Sequence, residues 1–505
     1  MVPFVVDDYS IPSIQQEEQK YLGRVLFFKG KSEDTYNLLK EKIKGKLENL
    51  EATAVRNEFK VEIYKMYILP SIRFLLTVHE LPKTWLEKLD TFVDQQLKLW
   101  CGMPRCATRA VLHSPTALDI PRIAHLYKEA HAVQHATTRL KGDTVVQSTV
   151  DHRLEREHER VRPTITVEAE QLYEQAMMMN APSGQVPTDL AQFSLEGIGA
   201  LEVPADAPRA PGFIETVKES VKNAVRWEET NSIYEQCKLL IQQGKFLEMS
   251  LLEKTDAAWK SFIFQLPQGT MKWIINSAID TLPTLVNLKK WGKVSSDKCK
   301  LCKRWKQSLP HILNRCEVAL NQSRFTWRHN GVLSFLNSCI DRKPDLEVYV
   351  DLPDHQTVAG GGTIPPNITV TTQKPDLVVI NNKSNSVDIF ELTIPQENRI
   401  EEAHRFKTGK YSHFLTDIQG RNVSLHTIEI GSVTGHVNER NKASLKMLHQ
   451  FVRKDIKLKD FISNISAITI MSSNFIFNAR DHQDLDSPGY VGPPIKSRTR
   501  TAGRA

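Results

Sequence analysis

The first pattern along the chain is helical. Between residues 31 and 140, apolar residues recur at spacings of three and four, which places them on one face of an α-helix. Examples are Ile63, Met66, Tyr67 and Leu69, followed by Leu86, Leu89, Phe92, Val93 and Leu97. The same periodicity returns over residues 216–298. We therefore predict a helical domain over 31–140 and a second helical domain over 216–298.

The segment between these two helical blocks has a different composition. Residues 141–215 combine prolines with small residues, a mixture that interrupts regular secondary structure. The prolines are Pro163, Pro182, Pro187, Pro204, Pro208 and Pro211. We expect 141–215 to be an irregular linker.

The pattern changes again toward the C-terminus, within residues 320–480. Runs rich in β-branched residues predict strands, and helical stretches at about 397–419 and 438–478 alternate with them. The strand-like runs are LEVYVDL, KPDLVVINN, VDIFELTI and VSLHTIEIG. Residues 320–480 are therefore expected to form an α/β domain, and the chain as a whole an α+β multidomain protein. Residues 481–505 are rich in Pro, Gly, Lys and Arg, and we expect a disordered basic tail there.

Composition narrows the function only a little. The chain has 505 residues and a net charge of +7, and its isoelectric point is near 8.8, which favours a polyanionic partner but is common in proteins that bind none. No stretch reaches the roughly 18 apolar residues of a membrane span. Asp7 and Asp8 stand where a signal peptide would carry basic residues. We expect neither membrane insertion nor secretion.

Three of the seven cysteines lie with a histidine in one short segment. Cys299, Cys302, His311 and Cys316 provide three thiolates and an imidazole, which is a complete tetrahedral ligand set for Zn²⁺. Such a closed set leaves no position for water, so the zinc is expected to stabilise the fold rather than to catalyse. We predict a zinc knuckle over residues 299–316. Two other interpretations stay open, a chance cluster in a lysine-rich loop and a zinc that only clamps two neighbouring domains together.

Basic and aromatic side chains surround the predicted knuckle. Such residues contact phosphates and stack on bases, so we predict nucleic-acid contacts here. The residues concerned are Lys303, Arg304, Trp305 and Lys306.

Two acids in the α/β domain follow a second chemical pattern. Asp376 opens one apolar run and Glu391 lies near the end of the next, so two adjacent strands would place the carboxylates side by side. Buried like charges repel, and a divalent cation such as Mg²⁺ or Mn²⁺ normally holds such a pair together. Lys407 and Lys410 lie on one face of a predicted helix, and either could point at the pair. Acids, metal and lysine suit phosphodiester hydrolysis, although the same pattern also occurs in cores that do no chemistry.

Together these segments resemble the C-terminal part of a non-LTR retrotransposon polyprotein, of the class that carries a restriction-like endonuclease. The segment Gln19 to Gly23 resembles a reverse transcriptase primer grip, and Tyr64 to Leu76 resembles the thumb. Ile279 to Thr284 resembles the segment that leads into the knuckle of this family. The run RFTWRHN resembles the arginine-histidine-asparagine signature that follows the knuckle, and it adds three expected nucleic-acid contacts, Arg324, Arg328 and His329.

The endonuclease motifs give the most specific part of the resemblance. In this family a basic-Pro-Asp motif, an acid-x-Thr strand and a Lys-x-x-Lys-Tyr helix form the active site. These motifs correspond here to Asp376, Glu391, Lys407 and Lys410, and they imply a restriction-endonuclease-like fold of the PD-(D/E)xK kind. Thr393 occupies the position where ordinary restriction enzymes carry lysine. The resemblance therefore implies that the catalytic lysine comes from the helix.

The polymerase motifs do not carry over. The only adjacent aspartates near the expected place are Asp7 and Asp8, and they lie too close to the primer-grip motif to be palm acids. Residues 1–30 resemble only a remnant of the palm and primer grip. We expect no reverse transcriptase activity.

These observations predict a nucleic-acid-binding protein with an Mg²⁺-dependent, DNA-nicking endonuclease domain. Its expected partners are target DNA and the RNA of the element, and its expected location is the nucleus, or the cytoplasm while RNA is bound. The alternative is an inactive or domesticated remnant that binds DNA or RNA through the knuckle and the helical region. A zinc scaffold for protein partners would leave Asp376, Glu391 and Lys407 without a purpose.

Overall fold

The computed structural model describes residues 4–6, 9–11, 19–21, 24–26, 32–158, 164–179, 212–253, 258–263, 266–267, 269–353, 355, 358 and 362–482. Within these ranges the chain combines many α-helices with a small four-stranded sheet, which confirms the predicted α+β class. None of the described helices is both long enough and apolar enough to cross a bilayer. Asp7 and Asp8, the glycine of the primer-grip motif and most of the basic tail lie outside the described residues.

The chain divides into two compact units. The first contains Met1–Trp100, Leu112–Pro115 and Asp119–Gln236. The second contains Cys101–Val111, Thr116–Leu118 and Cys237–Ala505, and it includes the predicted knuckle and both predicted acids.

The N-terminal residues form two antiparallel hairpins, each made of two short strands. The strands are β1 Phe4–Val6, β2 Tyr9–Ile11, β3 Gln19–Tyr21 and β4 Arg24–Leu26. Helices follow, as the apolar periodicity predicts, and a π-helical turn at Tyr64–Ile68 joins the second to the third. Their bounds are α1 Ser32–Glu51, α2 Asn57–Ile63, α3 Leu69–Val78, α4 Lys83–Trp100, α5 Ala110–His113, α6 Ile123–Lys141, α7 Thr144–His158, α8 Ile165–Met179 and α9 Phe213–Leu239.

Much of the expected irregular linker is helical. Helices α7 and α8 occupy residues that the proline content assigned to a linker, and α8 packs against α6 through small and aliphatic side chains such as Ala136, Ala169 and Leu172. The expectation is therefore wrong for these two helices. The two segments form helices because neither of them contains a proline. Residues 180–211, where most of the prolines lie, are outside the described residues.

The second unit begins with short helices and ends with the sheet and its covering helices. The elements before the sheet are α10 Lys245–Leu252, α11 Thr270–Ala278, α12 Leu285–Lys290, a π-helical turn at His311–Arg315, α13 Glu317–Asn321 and α14 Arg324–Cys339. The strands are β5 Leu346–Val350, β6 Leu377–Asn381, β7 Ser386–Thr393 and β8 Asn422–Glu429. The remaining helices are α15 Ile400–Tyr411, α16 Phe414–Asp417, α17 Glu439–His449 and α18 Leu458–Asn478. These bounds confirm the four predicted strands and the predicted helical stretches between and after them.

The sheet is covered on both faces. Its order is β5-β6-β7-β8, with antiparallel pairing except between β7 and β8, which are parallel. Along β6, Leu377 and Val379 enter a core with residues of α14, α17 and α18, whereas Val378 and Ile380 pack with Tyr411 of α15. Burial on both faces explains why β6 is a continuous apolar run rather than an alternating one. The helix that carries the two predicted lysines thus lies on the second face.

Candidate functional site

The predicted zinc ligands come together in the second unit. One ligand atom from each of Cys299, Cys302, His311 and Cys316 lies within 4.8 Å of the others. The Cys302 Sγ and His311 Nε2 atoms are 3.4 Å apart. Zinc bonds to sulfur and to imidazole nitrogen measure about 2.3 and 2.0 Å, so four atoms at such separations can surround one ion. The cluster is able to hold a metal, and its donor set suits zinc.

A tight turn presents the first two cysteines. The Cys299 N–H donates to Trp305 O at 2.7 Å, and the Lys303 N–H donates to Cys299 O at 2.8 Å. Lys303 takes a φ of 57°, a left-handed conformation that closes the turn. The histidine begins the π-helical turn His311–Arg315, and the last cysteine directly precedes α13.

The thiols show the electrostatic strain expected of ligands packed closely together. A hydrogen bond with Cys316 lowers the pKa of Cys299 to about 3, and the same interaction raises the pKa of Cys316. A divalent ion would stabilise both as thiolates.

The side chains predicted to contact nucleic acid divide into two groups. Lys303, Arg304, Trp305 and Lys306 are exposed on the knuckle, and Trp305 is 56% exposed. Arg304 also forms an ion pair with Glu317 at 2.8 Å. This surface is open to a phosphate backbone and to stacking bases.

Arg324 and Arg328 do not belong to that surface. Arg324 donates to Ala479 O and His482 O, at 2.7 and 2.6 Å, beyond the end of α18. Arg328 is 2% exposed and donates to Leu313 O at 3.0 Å and to Ile394 O at 3.4 Å. The nucleic-acid role expected for both arginines is corrected here, because their guanidinium groups satisfy carbonyl groups within the protein. Arg328 thereby ties the last turn of the knuckle to the end of β7.

The two predicted acids meet at one end of the sheet, between its two central strands. The register pairs Leu377 of β6 with Phe390 of β7, so Asp376 stands opposite Glu391. The Asp376 N–H donates to Glu391 Oε1 at 3.3 Å, and the Leu392 N–H donates to Asp376 Oδ2 at 2.8 Å. Asp376 is 8% exposed and Glu391 is fully buried. Backbone pairing thus fixes both carboxylates on one face.

Only one of the two lysines reaches the acids. Lys407 Nζ lies 2.7 Å from Glu391 Oε2. Lys410 Nζ instead lies 2.7 Å from the Tyr411 hydroxyl and 4.5 Å from the centre of that ring. The Tyr411 hydroxyl donates to Lys374 O at 3.4 Å. The sequence left the choice between the lysines open, and the structure brings Lys407 to the carboxylates.

Neighbouring contacts hold the lysine helix in place. His404 Nδ1 lies 2.6 Å from Thr427 Oγ1, and Thr427 is the residue of β8 that pairs with Glu391. At the other side, Arg440 of α17 pairs with Glu401 at 2.8 Å. Both contacts precede Lys407 in α15, so they attach the first half of the helix to β8 and to α17.

The charges at the site are unevenly shared. Burial raises the pKa of Glu391, the charge of Asp376 raises it further, and the result is about 7 even though Lys407 opposes the shift. Burial also acts to raise the pKa of Asp376, but a hydrogen bond from His329 and the positive charges of His329 and Lys407 outweigh it and lower this pKa to about 2. Asp376 therefore keeps its negative charge, whereas Glu391 takes up a proton at a higher pH than an ordinary glutamate does. This is the behaviour of a close pair of buried acids.

Two further residues belong to this site, and the sequence interpretation did not assign them to it. His329 Nε2 lies 3.3 Å from Asp376 Oδ2, although the motif reading expected this histidine to contact nucleic acid. Burial acts to lower the pKa of His329, but the contact with Asp376 outweighs it and raises the pKa. Asp351 is exposed and stands directly opposite Asp376, because Val350 pairs with Leu377. In the sequence, the one feature that could have identified Asp351 is its place as an acid directly after an apolar strand.

No protein-family model matches the chain, and no curated protein matches it significantly. The resemblance to retrotransposon proteins therefore stays a prediction from the motifs of this chain.

The buried position of Arg328 predicts a structural effect. Replacing Arg328 with Met should lower the free energy of unfolding by on the order of 3 kcal/mol, because two carbonyl groups and the Ser473 hydroxyl lose a charged donor. DNA affinity of the folded fraction should be unchanged. Chemical denaturation and a binding titration measure the two effects, with Arg315→Met at an exposed position as the control. A loss of affinity at unchanged stability would restore the nucleic-acid role.

The knuckle geometry predicts stoichiometric zinc. The purified protein should contain one zinc per chain by atomic emission, and Cys316→Ser should remove the zinc and lower the melting temperature by roughly 5 °C or more. Cys106→Ser is the matched control, since Cys106 is exposed and outside the cluster. Full zinc content in Cys316→Ser would exclude the proposed ligand set.

The raised pKa of Glu391 predicts a pH-dependent stability. The folded protein binds the Glu391 proton more tightly than the unfolded chain does, because its pKa is about 7 rather than 4.5. The stability contribution of this group therefore falls as pH rises across that interval. In buffer without added Mg²⁺ or Mn²⁺, Glu391→Gln should be more stable than the natural protein at pH 8, by on the order of 2 kcal/mol, and the difference should fade by pH 5.

Urea denaturation of the zinc-loaded protein at several pH values measures this difference. Glu439→Gln is the control, because the Glu439 side chain is 77% exposed. A difference that does not change with pH would argue against a strained carboxylate pair.

Proposed function

We propose that the second unit contains a metal-dependent DNA endonuclease, derived from a non-LTR retrotransposon, which nicks its target. The observation that carries the proposal is the convergence of Asp376, Glu391 and Lys407 at one end of the sheet. Lys407 Nζ lies 2.7 Å from Glu391 Oε2, and the two acids are held opposite each other by strand pairing. A protein core gains little stability from such a group of charges, so its presence favours a chemical role.

The donor atoms fit a hard divalent cation. Carboxylate oxygens of Asp376 and Glu391 are the ligands that Mg²⁺ and Mn²⁺ prefer. Burial and the charge of Asp376 raise the pKa of Glu391, and a bound divalent cation would oppose both effects. We infer that these two residues hold the ion. When bound, the ion supplies Lewis-acid stabilisation of the phosphate and of its attacking water.

Lys407 supplies a fixed positive charge beside the acids. Its ammonium group hydrogen-bonds to Glu391 and is only partly exposed, so its field at the site is less screened than that of a surface lysine. In this position it can orient the nucleophile and stabilise the charge that develops on the phosphate. Lys410 has an indirect role in the proposal, since its contact is with Tyr411.

The knuckle contributes binding in this proposal. Exposed Lys303, Arg304 and Lys306 attract phosphates, and exposed Trp305 offers a stacking surface. Target DNA and the RNA of the element are the proposed partners, and the nucleus is the proposed location. A structural zinc ion would keep this surface in shape.

A nicking assay tests the enzymatic proposal. Purified protein should convert supercoiled plasmid to the open-circular form in Mg²⁺ or Mn²⁺. Asp376→Ala, Glu391→Ala and Lys407→Ala should each lower the rate by at least about a hundredfold, because each removes a group that faces the reacting phosphate. Lys410→Ala should have a smaller effect. Lys459→Ala, at an exposed position on α18, is the matched control and should nick normally.

The same preparations separate the enzyme from a remnant that only binds. Intact plasmid with every metal, together with DNA binding that weakens steeply with salt, would support the inactive remnant. Equal nicking by the natural protein and by Asp376→Ala would show a contaminating nuclease and would refute the proposed site.

A further inference from the structure

The histidine beside the acids points its ring into the proposed metal site. His329 Nε2 lies 3.3 Å from Asp376 Oδ2 and 3.3 Å from Leu392 O. Both separations are long for a hydrogen bond, which is typically about 2.9 Å. They are close to the spacing of about 3 Å between adjacent ligands of an octahedral Mg²⁺ or Mn²⁺ ion. Three donor atoms of different kinds thus border one small space.

The other ring nitrogen is oriented for metal binding. His329 Nδ1 lies 3.1 Å from Asn330 Oδ1. An amide oxygen only accepts, so Nδ1 carries the hydrogen and donates it to Asn330. Nε2 is then the nitrogen that faces Asp376 Oδ2 and Leu392 O, where it donates its hydrogen in the metal-free protein and where a bound ion would take the place of that hydrogen. Histidines that ligate metals usually have this arrangement, in which an outer partner fixes the tautomer.

The position of His329 also argues against a role on the nucleic-acid surface. Its side chain is 24% exposed, and both ring nitrogens contact groups of the protein. Nearby Arg328 donates to Ser473 Oγ and to Leu313 O inside the protein. Arg328 and His329 of the RFTWRHN run therefore face the interior. Of these two side chains, His329 is the one that contacts an acid.

We propose that His329 is a nitrogen ligand of the nuclease metal ion and makes the site prefer a first-row transition ion over Mg²⁺. The inference rests on the proposed function, because it concerns the same ion that Asp376 and Glu391 would hold. Mg²⁺ favours oxygen ligands only, whereas an imidazole nitrogen adds affinity for ions of the first transition row. A nitrogen ligand thus gives the site different affinities for Mg²⁺ and for first-row transition ions, which carboxylates alone would bind similarly.

Pulsed electron paramagnetic resonance with Mn²⁺ as the probe tests this ligand directly. The full chain is first loaded with zinc, so that His311 is occupied, and then titrated with Mn²⁺. A directly bound imidazole nitrogen modulates the Mn²⁺ echo. We expect this modulation in the natural protein and in His449→Asn, and its loss in His329→Asn. His449 is the matched control, since its Nε2 contacts Ile456 O rather than an acid.

Competition between the metals gives a second readout. The Mg²⁺ concentration that displaces half of the bound Mn²⁺ should fall at least about tenfold in His329→Asn, because the nitrogen that favours Mn²⁺ is gone. Circular dichroism checks that the variant folds, and His329→Gln replaces it if it does not. The echo modulation of the natural protein shows whether a nitrogen binds Mn²⁺ even if neither variant folds.

The outcomes separate this inference from the proposed function. Bound Mn²⁺ without nitrogen modulation in the natural protein overturns the role of His329, while nicking by the same preparation keeps the nuclease. Nitrogen modulation that depends on His329, in a protein that does not nick, supports the metal site and refutes the enzyme. Absence of both Mn²⁺ binding and nicking refutes both.

Discussion

The second unit is organised around two carboxylates that repel each other. Strand pairing between β6 and β7 brings Asp376 and Glu391 together, and the surrounding core withdraws them from water. The register sets their positions, because the pairing of Leu377 with Phe390 places Asp376 opposite Glu391. Lys407 and His329 each approach one of the acids, at 2.7 and 3.3 Å. The compensating charges come from helices on either side of the sheet, which couples the packing of those helices to the site.

The knuckle and the sheet share one set of anchors. Arg328 contacts the π-helical turn that begins with a zinc-ligand candidate, and it also contacts Ile394 just after β7. Asn314 donates to the same Ile394 oxygen at 2.8 Å. A metal in the knuckle would therefore stabilise the end of the strand that carries Glu391, in addition to the basic surface beside it. The clamp and the nucleic-acid surface are compatible roles of one small element.

The sequence predicted the parts of this site that depend on short-range spacing. Asp376 and Glu391 lie in two successive apolar runs, and their pairing follows once those runs form a hairpin. The choice between Lys407 and Lys410 depends on the rotation of α15, which is set by contacts such as His404 with Thr427, so spacing alone left it open. The roles of Arg328 and His329 could not be predicted from spacing, because the burial of both side chains depends on how α14 packs against the sheet and α18. Helices α7 and α8 were missed for a simpler reason, since prolines elsewhere in the segment outweighed the local pattern.

Diffraction from a crystal soaked in Mn²⁺, with anomalous data on both sides of the manganese edge and of the zinc edge, tests the central claim most directly. We expect a manganese peak within about 2.3 Å of oxygens of both Asp376 and Glu391, and a separate zinc peak among the four knuckle ligands. A zinc peak alone, with the two carboxylates still paired to Lys407 and no manganese between them, would contradict it.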